Sequence, residues 1–181
     1  WKHNTQEESL LGVSLTGIMD NKDMINGNID LEYLKNISVS INKVWAKKLG
    51  IPTSAAITCV KPSGTVSQLV NSASGIHTRH SPYYLRTIRA DKKDPLARLM
   101  VDAGVYHEDD VTKPEHTYVF YFPIKSPKGS LTRKDFTAIE HLEIWKQYQD
   151  NWCEHKPSVT ISVKENEWME VGAWVHKNFD D

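Results

Sequence analysis

At 181 residues, 39% hydrophobic and 25% charged, the chain has the composition of a globular domain or of part of a larger one. Its 22 basic and 23 acidic residues nearly cancel, which argues against a general nucleic-acid coat and against an anionic-membrane binder. No apolar stretch approaches membrane-spanning length and no signal-peptide pattern opens the chain, so a cytoplasmic location is expected.

Two cysteines, Cys59 and Cys153, lie far apart with no Cys-x-x-Cys spacing, which speaks against a disulfide framework and leaves too few ligands for a zinc site. The chain starts at Trp1 rather than Met and stops at Phe179-Asp180-Asp181, so an internal piece of a longer protein is expected.

Residues 1–9 are polar and aperiodic. Leu10-Leu11-Gly12-Val13-Ser14-Leu15-Thr16-Gly17 is a short apolar run bounded by glycine, read as a buried strand. A polar loop over 20–28 follows. Asp30 is placed to cap a long helix over 31–49, in which Leu34, Ile37, Ile41, Val44 and Trp45 share one face and read as core packing. Lys47 and Lys48 suit the negative end of its dipole, and Gly50 with Pro52 stops it.

The apolar run 55–60 leads into Val60-Lys61-Pro62-Ser63-Gly64-Thr65-Val66-Ser67, and residues 66–70 leave with helical spacing. This predicts a strand, a tight turn and the first turn of a helix. Such a turn presents unpaired backbone N–H groups and the positive end of a helix dipole. Gly64 lets backbone approach a ligand, and Ser63, Thr65 and Ser67 add hydroxyl donors. Together they describe a candidate site for phosphate or another anion. The plainer alternative is an ordinary capped turn that binds nothing. It is not a Walker A loop, because the Gly-x-x-x-x-Gly-Lys-Ser/Thr spacing is absent.

Residues 71–75 end that helix, and Gly75-Ile76-His77-Thr78-Arg79-His80-Ser81 gathers two histidines and an arginine, read either as a solvated basic loop or as a wall of the site. Pro82 to Arg89 reads as a strand with mixed faces. Asp94-Pro95 opens a helix that ends before Gly104, 105–115 is a polar connection, and Tyr118 to Pro123 is a strong strand signal. Thr132 to Asp135 looks like a capping box with Asp in place of Glu, ahead of a helix reaching about Cys153. Residues 157–163 alternate as a strand, and 165–178 read as a last helix carrying Trp168, Val171 and Val175 on one side. The alternation of strands and helices points to α/β architecture with a largely parallel sheet, in which ligands sit at the carboxyl ends of strands.

A set of ordered blocks carries a resemblance to a known family. Residues 60–67, followed by Ser74-Gly75-Ile76-His77 and Ser81-Pro82-Tyr83-Tyr84-Leu85-Arg86, together with Gly12-Val13-Ser14-Leu15-Thr16-Gly17 and Asn151-Trp152-Cys153-Glu154-His155-Lys156-Pro157-Ser158-Val159-Thr160, resemble adenosylcobalamin-dependent (class II) ribonucleotide reductases, in the family's order. The resemblance implies part of a ten-stranded α/β barrel, with residues 1–181 as a piece of its C-terminal half. It implies reduction of a ribonucleotide to the 2′-deoxyribonucleotide by a thiyl radical that adenosylcobalamin initiates, with a thioredoxin-like reductant, no membrane and no direct nucleic-acid binding. It also implies Pro62, Ser63, Gly64, Thr65 and Ser67 as substrate phosphate-binding positions, with the triphosphate favoured over the diphosphate. The family's Asn-x-Cys-x-Glu finger-loop motif does not occur in this chain, so neither Cys59 nor Cys153 is expected to be catalytic, and both read as small apolar residues. No metal-ligating residue is assigned, and the piece is expected to be inactive alone. The alternatives are the large subunit of a class I reductase and a non-catalytic nucleotide- or phosphate-binding module.

Overall fold

The computed structural model describes residues 1–180. In chain order its elements are α1 (Lys2–Glu8), β1 (Val13–Ser14), a 3-10 turn (Ile18–Asp20), α2 (Lys22–Ile25), α3 (Leu31–Leu49), β2 (Thr58–Cys59), α4 (Val66–Leu69), β3 (Tyr83–Asp91), α5 (Pro95–Asp102), β4 (His107–Asp109), β5 (Thr117–Lys125), α6 (Ala138–Asn151), a second 3-10 turn (Glu165–Glu167) and α7 (Trp168–Lys177). They form two compact units, one of Trp1–His80 with Pro127–Asp181 and one of Ser81–Ser126.

In the first unit β1 and β2 run parallel, with Val13 opposite Thr58 and Ser14 opposite Cys59. The ladder extends one bond each way, from Leu11 N–H to Ala56 O at 3.1 Å and from Leu15 N–H to Cys59 O at 3.4 Å. A core of Ile18, Met19, Leu31, Val60, Ala73, Ile76, Ile144, Tyr148, Trp152 and Cys153 lies around the end of this ladder. Tyr148 is wholly buried, and its hydroxyl is satisfied by Met24 O at 2.9 Å, so it leaves no orphaned polar atom in the core.

The helix ends follow their signals. Asp30 Oδ1 accepts the Tyr33 N–H at 2.8 Å, and Gly50 closes α3 in the left-handed conformation at φ 67°. The face of α3 does not follow its signal. Ile41 is 53% and Trp45 54% exposed, with Leu34, Ile37 and Val44 exposed beside them; only Leu31 and Ala46 of this helix are buried. Helical spacing says which residues share a face, not what covers it. The stripe instead borders an apolar groove of about 490 Å³, with Leu11, Val13, Leu49, Ile51 and Ile57 among its walls.

Three further expectations are corrected. Residues 157–163 form no strand, because alternation supplies two faces but no partner ladder. Thr132 and Asp135 close a separate turn, while α6 starts at Ala138 under a true capping box between Thr137 and Glu140. The sheet is not largely parallel: beside the short β1–β2 ladder, the second unit is a three-stranded antiparallel sheet in the order β3-β5-β4. Tyr83 to Asp91 pairs with Lys125 to Thr117 throughout, and β4, which the sequence reads as loop, adds three residues to the far edge. Asp94 and Pro95 start α5 as their order indicates. The chain is α/β; a ten-stranded barrel is not seen in it.

The bare α3 face makes a testable demand, since contiguous exposed apolar surface drives association. The isolated 181-residue chain should bind a hydrophobic dye and self-associate. Replacing Ile41 and Trp45 by lysine (I41K/W45K) should reduce both without loss of helicity. Dye binding and self-association unchanged by that pair would contradict the exposure of this face.

Candidate functional site

The parallel ladder sets the carboxyl ends of β1 and β2 side by side, and the turn over residues 61–67 is built there. Lys61 N–H donates to Ser14 Oγ at 3.0 Å, and Thr16 Oγ1 lies 3.1 Å from Ser63 Oγ. Ser14 at the end of β1 and Thr16 just beyond it thus both serve the turn. Ser63 adopts φ 39°, a left-handed conformation unfavourable for a residue with a Cβ. It is held there from beneath: its carbonyl accepts the Ser67 N–H at 3.2 Å and also the Ser67 hydroxyl, while Ser67 Oγ meets Ser74 Oγ at 2.8 Å.

The five predicted positions therefore divide. Pro62, Gly64 and Thr65 are exposed and Ser63 is half-buried, so these four make the outer surface of the turn. Thr65 stands at the N-cap of α4 without making a capping bond. Gly64 has no left-handed φ, and a Cβ built on it meets nothing within 4 Å, so the chain itself leaves the space above it open. Ser67 is fully buried and its hydroxyl is engaged inside the turn. The helix that follows has only four residues, so its dipole adds less than the sequence pattern indicates, and the turn's own N–H groups matter more.

The supporting glycine is Gly75. It sits at φ 49°, and a Cβ there would come within 3.2 Å of Lys61 O and 3.5 Å of Val60 Cγ1. It lets the returning chain touch the underside of the turn. Next to it His77 Nδ1 lies 3.0 Å from Ser74 O, and His141 Nε2 lies 2.7 Å from Ile76 O. Burial lowers the pKa of His141, which favours the neutral ring beside that carbonyl.

Arg79 itself is not a solvated loop charge. It is only 4% exposed, and it forms a two-point pair with Asp20: Nε to Oδ1 at 3.1 Å and Nη2 to Oδ2 at 2.8 Å. Local sequence could not reveal this, because the partner lies 59 positions away.

Beneath β2, Glu154 Oε2 accepts the N–H groups of Ile57 at 2.6 Å and Thr58 at 2.8 Å, and the Thr58 hydroxyl at 3.2 Å. Burial alone would raise the pKa of Glu154, but these bonds from Thr58 and Ile57 outweigh it and the net shift is downward. Cys153 is buried, which pushes its thiol up to about 11; a thiol so disfavoured as thiolate is a poor nucleophile. Cys59 is half-buried and unpaired in any disulfide. Among the described residues no group of three or more His, Cys, Asp or Glu side chains could hold a metal ion, and no helix is long and apolar enough to cross a membrane.

The chain is similar to known proteins along most of its length. No protein-family model matches it. It is 34% identical to a probable adenosylcobalamin-dependent ribonucleoside-triphosphate reductase of Dictyostelium discoideum, over 84% of this chain and 20% of that protein. It is 32% identical to the adenosylcobalamin-dependent ribonucleoside-triphosphate reductase of Euglena gracilis, over 63% of this chain and 16% of that protein. With the enzyme of that name from Lactobacillus gasseri it shares 27% identity over 92% of the chain and 27% of that protein. Among solved structures, that of a B12-dependent (class II) ribonucleotide reductase superposes with a TM-score of 0.75 over 96% of this chain and 29% of the other, at 23% identity. The chain thus spans about a fifth to a quarter of the relatives it matches.

The Glu154 contact has a pH signature. A carboxyl held below its ordinary 4.5 contributes stability that is in full force above that pH and is lost as the pH falls through its folded value. Glu154→Gln should therefore flatten the acid limb of a stability-against-pH profile below the ordinary carboxyl value of 4.5. An acid limb as steep as that of the parent would contradict the assignment.

Proposed function

We infer, from this kinship with a segment of the adenosylcobalamin-dependent ribonucleotide reductases, that the chain is part of an enzyme reducing ribonucleoside triphosphates to 2′-deoxyribonucleotides, and that it supplies the surface that holds the substrate phosphates. The observation that carries the reading is the division within the turn. Outer residues Pro62, Ser63, Gly64 and Thr65 leave open space above them, while every inner partner is engaged in holding their conformation. A polyphosphate placed above Gly64 would meet the backbone of the turn and the Thr65 hydroxyl. Ser67 supports this surface from below and does not itself reach a ligand.

Residues outside this chain carry the thiol chemistry. The raised pKa of Cys153 suits a packing role, and residues 1–181 act as one part of the catalytic domain. The larger enzyme works in the cytoplasm with a thioredoxin-like reductant, and the apolar face of α3 is covered by the rest of it. The relatives are named for adenosylcobalamin, which in such enzymes supplies the initiating radical. The described residues do not fit that group: the α3 groove is of ordinary small-ligand size and lined mostly by aliphatic side chains, whereas a corrin is several times larger and ringed by amides. No step is assigned to it on this chain.

Two substitutions test the phosphate surface in the full-length enzyme. Gly64→Val places a side chain in space the protein leaves empty, so it should block phosphate without disturbing the fold. Thr65→Ala removes one hydrogen bond to a charged group, roughly 1.5–3 kcal/mol or at least about tenfold in affinity. Both should raise KM for the ribonucleoside triphosphate at unchanged thermal stability, with binding of the phosphate-free nucleoside unaffected. Unaltered KM in both variants would sink the assignment.

A further inference from the structure

A buried arginine and a half-buried aspartate lie behind the turn, and their hydrogen bonds point at one short stretch of backbone. Asp20 Oδ2, besides pairing with Arg79, accepts the Ala73 N–H at 2.7 Å. Arg79 Nη2 donates to Asn71 O at 2.6 Å, and its Nη1 to Asn71 Oδ1 at 3.3 Å. Arg79 is itself fixed by its backbone, which bonds to Leu131 O at 3.2 Å and receives Arg133 N–H at 3.0 Å. Residues 71–73 are thus gripped at a carbonyl, an amide and a side chain by one ion pair.

That stretch feeds both supports of Ser63. Ala73 O accepts Gly17 N–H at 2.9 Å and Thr16 Oγ1 at 3.2 Å, and Thr16 Oγ1 is the atom beside Ser63 Oγ. Ser72 N–H donates to Ser67 O at 2.8 Å, and Ser74, one residue beyond the gripped stretch, bonds the Ser67 hydroxyl that holds Ser63 O. Asn71 stands at φ 48°, a left-handed conformation in which asparagine is tolerated and which its bonds to Arg79 lock.

Stability alone is a weak reason for such a pair. Desolvating two charges offsets most of their attraction, and an apolar pair of similar volume often holds a fold equally well. What an apolar pair cannot do is fix the direction of three backbone and side-chain polar groups at once. We propose that Asp20 and Arg79 are positioning residues for the phosphate-binding turn: through residues 71–73 they set the orientation of Ser63 and of the N–H groups beside it. The proposal rests on the reading of that turn as a phosphate site. Asp20 precedes the turn by over forty positions and Arg79 follows it, so neither belongs to its motif.

The test uses the full-length enzyme carrying this segment, with KM and kcat for the ribonucleoside triphosphate measured beside the thermal midpoint. The double replacement Asp20→Leu/Arg79→Met keeps the volume and removes the charges. It should fold with a midpoint near that of the parent yet raise KM about tenfold, the effect of roughly one misdirected charge-assisted hydrogen bond, while kcat moves little. Arg79→Lys should raise KM similarly, because one ammonium cannot span both carboxylate oxygens and Asn71. If the double variant does not fold, Asp20→Glu is measured in its place: it keeps the charge on an arm one methylene longer, and should raise KM several-fold at an unchanged midpoint. Parental KM in a folded double variant, or in Asp20→Glu where the double is unfolded, overturns the proposal. Gly64→Val, run in parallel, separates the two levels. If it leaves KM unchanged, the phosphate assignment itself falls; if it raises KM while the Asp20 and Arg79 variants do not, only the positioning role falls.

Discussion

The carboxylate of Glu154, seated on the N–H groups of Ile57 and Thr58, is the contact on which the first unit depends. A two-residue parallel ladder has little strength of its own, and β2 would otherwise present an open edge to solvent. Residues 152–154 close that edge in place of a strand. Glu154 N–H donates to Thr58 O at 3.0 Å, the Thr58 hydroxyl to Trp152 O at 2.5 Å, and Trp152 Nε1 to Cys59 O at 2.8 Å. One side of β2 is thus paired with β1 and the other with the end of α6. Its backbone polar groups are satisfied without a third strand.

With β2 fixed on both sides, the chain leaves it in a defined direction, and residues 61–67 follow. The turn is then held by short polar side chains rather than by a helix behind it. Ser14 holds the Lys61 N–H, Ser67 the Ser63 carbonyl and Thr16 the Ser63 hydroxyl, while Ser74 bonds Ser67 in turn. Hydroxyl groups suit this task because each can donate once and still accept, so a compact cluster satisfies itself without a net charge. Such a cluster adds no net charge to the turn, and the Asp20–Arg79 pair behind it is neutral as a pair.

Much of this was legible in the sequence wherever the cause was local. Asp30 and Gly50 bound α3, and Asp94-Pro95 starts α5, because capping is a matter of three or four consecutive residues. The turn was placed correctly on its Pro-Ser-Gly-Thr order; the blocks around residues 12–17 and 74–77 bond to it, the block at 151–160 bonds to β2 before it, and the block at 81–86 lies in the other unit. What escaped depends on partners distant in the chain. The apolar stripe of α3 looked like core, yet the described residues leave Ile41, Val44 and Trp45 more than half exposed. Arg79 looked like a surface charge until Asp20 stood beside it, and residues 157–163 had the alternation of a strand but no ladder to join. Thr132 and Asp135 formed the bonds their pattern suggests but one turn too early, since Thr137 and Glu140 held the better box. Ser67 was read by its hydroxyl alone, and the direction of that hydroxyl is set by Ser74 and Ser63.

The central claim is that the outer atoms of residues 62–65 receive the phosphates. A crystal structure of the full-length enzyme with a bound ribonucleoside triphosphate tests it most directly. Phosphate oxygens within about 3 Å of the backbone N–H groups of residues 63–65 and of the Thr65 hydroxyl are the expected result. Phosphates bound elsewhere, with this turn still facing open solvent, would contradict it.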